Sequence, residues 1–175
     1  MLTIPLLVAL FSRVHAAYTR IGAQLGIGSL PARPHHVHSI VVVPVVAITR
    51  LTSQLLSTAR AMGREVVAVH VTYPDETPAA RAMASDWITW RPEVPLVLLE
   101  SPHRELGPPL ARYVRQLRAG QVVVLIGEVQ PQRRWERLLK NRRGAVVARH
   151  LYRTTNAVVC RYRMPLPQSH QSNST

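Results

Sequence analysis

The sequence predicts an α/β fold, an open, doubly wound five-stranded parallel sheet with helices on both faces. Three observations predict it. Five short β-branched runs are separated by stretches of helical periodicity, the pattern of βαβ units. Pro or Gly punctuates these stretches, where helices start and stop. The chain has 175 residues and is 47% hydrophobic, which suits one domain with its own core. That composition excludes a wholly disordered chain. No apolar run reaches the roughly 18 residues of a membrane-spanning helix. Cys160 is the single cysteine, which excludes a disulfide framework and a cysteine-based zinc site.

Residues 1–25 read as a helix, apolar in MLTIPLLVALF and amphipathic beyond it. No cation precedes Arg13, so the charged start of a secretory signal is missing. Two readings stand side by side. The segment is a hydrophobic start that docks on a partner or its own core, or it is the end of a transmembrane helix. In the second, Arg13, His15 and Arg20 occupy the place of cytoplasmic flanking cations. Residues 26–38, with Gly26, Gly28, Pro31 and Pro34, form a linker. Its His35, His36 and His38 have no Cys, Asp or Glu beside them to complete a metal shell, so no metal is expected.

The α/β domain covers 39–164. SIVVVPVV (39–46) is a buried strand, and TRLTSQLLSTARAMG (49–63) is a helix with its apolar face on Leu51, Leu55, Leu56, Ala59 and Met62. EVVAVHVTY (65–73) is the second strand, and AARAMASDWITW (79–90) is a helix closed by Pro92. PLVLLES (95–101) is the third strand. A helix follows over 105–120, with Pro108 and Pro109 in its first turn. QVVVLIGEV (121–129) is the fourth strand, 135–153 is helical with Gly144 as a potential break, and NAVVCRYRM (156–164) is the fifth. Residues 165–175 are a polar, disordered tail. The connections should be right-handed, and ligands should bind beyond the carboxyl ends of the strands, where strand order reverses.

Few residues there suggest catalysis. No GxSxG, Walker A or GxGxxG follows a strand, and no pair of acids has a spacing that enforces general acid–base contact. Glu128, just after the fourth strand, is either an acceptor for a ribose hydroxyl or a solvated loop acid. His70, near the end of the second strand, is either a contact to a base or ribose or a satisfied rim histidine. His150 reads as a helix-face residue.

The charge is more telling. The formal net charge is +13, and Lys140 is the one lysine among 22 cations. From Arg133 onward nine Arg and Lys140 face only Glu136. Arg133 and Arg134 follow the fourth strand, where a helix start already favours anions and arginine forks match phosphate oxygens. Trp135 beside them stacks on a base or anchors the helix. The same cations also suit a solvated face or anionic lipid headgroups. With aromatics at 5%, no specific nucleic-acid partner is expected.

The order of these elements, with VVVPV first and a glycine after the fourth strand, resembles the universal stress protein fold. The stretches VPVVAITRLTSQLLSTARAMGREVVAVHV, WITWRPEVPLVLLESPHRELGPPLARYV and VVVLIGEV followed by RRWERLLKN resemble a more particular family. They are similar to the C-terminal cytoplasmic domain of Kim-type potassium importers and their relatives in the amino acid–polyamine–organocation superfamily. LESPHRELGPPLARY is the most specific piece, and the likeness covers about 39–164. It implies a non-catalytic regulatory domain on the cytoplasmic side of the bacterial membrane. Such a domain forms a homodimer, works with a transporter membrane domain and senses an adenine nucleotide such as cyclic di-AMP. The site it implies uses Pro44, Val45, Val46 and Ala47 at the end of the first strand, then Gly127 and the arginine-rich loop. The pattern of ATP-binding universal stress proteins is incomplete. No Asp follows the first strand, Gln130 replaces the second glycine, and Gly144 comes too late for the third. A free-standing universal-stress-type nucleotide binder is the alternative, and a small phosphoester-acting α/β enzyme using Glu128 and His70 is the third reading.

Overall fold

A computed structural model describes residues 3–28, 30, 32–63, 65–130 and 143–165. The chain divides into two units, Met1–His36 and Val37–Thr175.

The first unit is built on helix α1 (Thr3–Gln24), twice as long as its apolar start. Beyond Arg13 an apolar stripe continues through Val14, Tyr18 and Ile21, at helical spacing, with Arg20 off that stripe. Its large apolar side chains, from Ile4 to Ile21, are exposed. Among the described residues no helix is long and apolar enough to cross a membrane. Gly26 and Gly28 turn the chain after α1, both at positive φ, a region open to glycine.

The second unit runs β1 (Ser39–Pro44), α2 (Arg50–Met62), β2 (Glu65–Thr72), a 3-10 turn (Pro74–Glu76), α3 (Thr77–Trp90) and β3 (Leu96–Glu100). It continues with α4 (Gly107–Gln116), β4 (Gln121–Gln130), α5 (Arg143–Thr154) and β5 (Val158–Pro165). The sheet order is β3-β2-β1-β4-β5 and every pairing is parallel. This is the five-stranded, doubly wound sheet expected from the sequence.

The central strand shows why. A parallel strand covered on both faces needs an unbroken apolar run, and Val41, Val42 and Val43 are fully buried. Successive side chains take opposite faces. Ile40 and Val42 join Leu110, Val114, Ala148 and Leu151 in a core under α4 and α5. Val41 and Val43 join Leu55, Leu56, Met83 and Trp87 in a second core under α2 and α3.

Local chemistry sets the ends. Thr49 caps α2, its hydroxyl accepting from the Thr52 N–H at 3.3 Å. Arg91 closes α3 in the left-handed region, as its N–H donates to the Trp87 carbonyl. Helix α4 starts at Gly107, two residues later than expected, because Ser101 holds the Glu105 backbone. Its hydroxyl donates to the Glu105 carbonyl at 2.7 Å and accepts from the Glu105 N–H at 3.2 Å. The same helix ends at Gln116 because Leu117 turns extended and packs on the core. Gly144 lies in the first turn of α5, which runs from Arg143. The earlier part of that expected helix lies outside the described residues.

Candidate functional site

Strand β1 pairs with β2 on one side and β4 on the other. The chain leaves β1 for α2 on one face of the sheet, while α5 covers the other face. A crevice therefore opens between the carboxyl ends of the two central strands. It holds a cavity of about 930 Å³, walled by the ends of β1, β2 and β4 and by the first turns of α4 and α5.

Of the residues expected from the sequence, Pro44, Val45, Val46, His70, Gly127 and Glu128 all line this cavity. Ala47 does not belong to its lining; the Ala47 carbonyl accepts from the buried Thr52 hydroxyl at 2.6 Å and so anchors the start of α2. Arg133, Arg134 and Trp135 lie outside the described residues.

His70 ties two strands together at the cavity floor. Its Nδ1 lies 2.9 Å from the Val45 carbonyl, and the Val45 N–H donates to the Val69 carbonyl at 2.8 Å. A carbonyl only accepts, so Nδ1 donates. Gly127 has a packing reason. A Cβ there would stand 2.4 Å from Leu55 Cδ1, so any other residue would oblige the Leu55 side chain of α2 to shift.

Glu128 sits among cations that the sequence reading did not single out. Its side chain is only 10% exposed. One carboxylate oxygen lies 3.8 Å from Arg161 Nε and the other 3.8 Å from Arg163 Nε. Parallel register explains the arrangement. Glu128 pairs with Arg163 and Ile126 with Arg161, so the acid and both cations project from one face of the sheet. The first turn of α5 crosses above, and a Cβ at Gly144 would come 3.1 Å from Glu128 Oε1. A helix start favours negative charge there. The signal for the two arginines was their period-two spacing in CRYRM, hidden within a generally basic stretch.

The ESPHRELGPP segment builds the neighbouring wall. Arg104, at a positive φ, pairs with Asp75, and its guanidinium lies over the Tyr73 ring at 5.8 Å from the centroid. The loop after β3 is thereby fastened to the loop after β2, and Tyr73, Glu76 and Leu106 face the cavity.

Fold and site together define a doubly wound α/β domain with a ligand-sized crevice at its strand-order reversal. The chain belongs to the KimA potassium transporter C-terminal domain family, whose family model matches residues 36–164. A relative is the potassium transporter KimA of Bacillus subtilis (strain 168), 26% identical over 155 residues. That match covers 85% of this chain and 25% of the relative, so the chain spans a quarter of its length. Among solved structures, the chain is similar to a universal stress protein from Archaeoglobus fulgidus, at 15% identity and a TM-score of 0.48, covering 71% of this chain and 93% of that one. It is also similar to a universal stress protein in complex with cAMP, at 13% identity and a TM-score of 0.45, covering 73% and 98%.

Proposed function

We propose that this chain is a non-catalytic regulatory domain of a bacterial potassium-transporter-type permease, and that its crevice takes an adenine nucleotide, cyclic di-AMP foremost. The observation that carries this reading is the cavity between the ends of β1 and β4, with Arg161 and Arg163 on one wall. Pockets of small-ligand size run from about 300 to 1,000 Å³, and this one falls in that range. Its wall offers apolar surface for a base from Val45, Met83 and Leu110, and forked donors for phosphate oxygens from the arginines. Glu128 balances charge between two guanidinium groups, which suits binding better than proton transfer.

In this reading the domain lies on the cytoplasmic side of the membrane and works as a homodimer. Helix α1 leads toward the membrane portion, with Arg13 and Arg20 among the headgroups. A ligand would bias transport only by its differential affinity for two states of the transporter.

Thermal shift and calorimetry on the full chain test the reading, with cyclic di-AMP, cyclic di-GMP, ATP and AMP as probes. A ligand that binds only the folded state, present at a hundred times its Kd, stabilises by about 2.7 kcal/mol, so the melting temperature should rise by several degrees. A saturable shift with cyclic di-AMP that falls in Arg161→Ala plus Arg163→Ala is the expected result. A weaker shift in Arg133→Ala plus Arg134→Ala would bring those two residues into the site. A flat response to every nucleotide would remove the sensor reading.

A further inference from the structure

The crevice carries a feature that phosphate binding alone does not call for. A carboxylate already stands where a phosphate would be most welcome. Glu128 faces Arg161 and Arg163 with one oxygen each, at 3.8 Å, and lies against the first turn of α5. Both features, paired guanidinium groups and a helix start, are general attractants for anions. At 3.8 Å the single carboxylate offsets part of the charge of the two arginines without the 2.7–2.9 Å approach of a charge-assisted hydrogen bond. Their N–H forks therefore keep their capacity to take an oxygen from a ligand. Arg161 and Arg163 are 37% and 63% exposed, within reach of one, whereas Glu128 is held at 10%.

The charge of the lining follows. Among the described residues, Glu76 and Glu128 stand against Arg161 and Arg163, so the wall is balanced despite a chain of net charge +13. We propose that Glu128 is a specificity-determining residue, a built-in counter-anion that makes the crevice accept ligands of low charge and turn polyphosphates away. This rests on the nucleotide reading above and names its ligand class: a nucleoside or a phosphodiester, with at most one charge per phosphate. A triphosphate brings several charges into a wall whose cations are already matched. It must either displace the Glu128 carboxylate or lie beside it. A phosphodiester can share the arginines with that carboxylate.

The test titrates the full chain and its Glu128→Gln variant with adenosine, AMP, cyclic di-AMP, ATP and inorganic triphosphate by calorimetry, at low and high salt. The neutral variant should gain tenfold or more in affinity for ATP and inorganic triphosphate, about 1.4 kcal/mol for each tenfold. The gain should shrink at high salt, and adenosine affinity should stay within about twofold. Adding Arg161→Gln and Arg163→Gln to Glu128→Gln should erase the gain. Glu128→Met, neutral and of similar length, gives the same readout should the Gln variant fail to fold. An equal gain for adenosine would mean a wider cavity in place of a charge effect and would overturn the proposal. So would an unchanged affinity for inorganic triphosphate, or a gain that survives loss of both arginines. If no adenine compound binds either chain while inorganic triphosphate binds the neutral variant, the nucleotide reading falls and the role of Glu128 stands. If cyclic di-AMP binds and Glu128→Gln gains nothing for polyphosphates, the reverse holds.

Discussion

Gly107 and His150 meet where α4 crosses α5. A Cβ at Gly107 would lie 2.9 Å from His150 Cγ and 3.0 Å from His150 Cβ. The second atom is rooted in the helix and cannot swing aside. Overpacking of a tight contact costs about 1–3 kcal/mol, so Gly107→Ala should lower stability by that order in denaturant unfolding. The double variant with His150→Ala should recover only part of the loss, since it removes the ring atoms at 2.9 and 3.0 Å but keeps the Cβ. An equal loss in both backgrounds would place the cost elsewhere. His150, read from the sequence as a plain helix-face residue, is thus the reason a glycine opens α4.

Among elements, α2 depends most plainly on its first turn. Thr49 receives the Thr52 N–H, and the Thr52 hydroxyl in turn holds the Ala47 carbonyl. Losing a threonine cap costs about 1 kcal/mol, so Thr49→Ala should shift the unfolding midpoint by that order, while Thr49→Ser should leave it nearly unchanged. The elements were legible because their signals are local. Val41 to Val43 read as a covered strand without knowledge of what covers them, and Gly63 stops α2 next to β2. The start of α4 was not legible. Glu105 looked like a first-turn acid, but Ser101 claims both of its backbone groups and delays the helix. The site divides the same way. The ends of β1, β2 and β4 could be named because topology sends ligands there, so His70 and Glu128 were within reach. Arg161 and Arg163 depend on which strand lies beside β4 and in what register, and a single sequence does not state its pairing.

On the scale of the whole molecule, the excess of cations is the largest unbalanced quantity. The chain has 22 Lys and Arg against 9 acids, and the ion pairs of Arg60 with Glu93 and Arg104 with Asp75 are exposed. Such pairs each contribute about 0–1 kcal/mol, so self-repulsion should prevail over them. Raising salt from about 0.02 M to about 0.5 M shortens the screening length from roughly 20 Å to roughly 4 Å. The melting temperature should rise across that range. A fall would mean that the ion pairs outweigh the repulsion.

The reversal of strand order also fixes a timetable for synthesis. Strand β1 finds β2 some 25 residues later, but its other neighbour, β4, arrives about 80 residues later. As the chain leaves the ribosome, β1, β2 and β3 can join while one side of β1 stays bare. That side belongs to the apolar segment Ile40–Val43, the kind of open edge that recruits strands from other chains. The nascent half-sheet is therefore most vulnerable just before residues 121–124 emerge, and the strand that completes the crevice also ends that exposure.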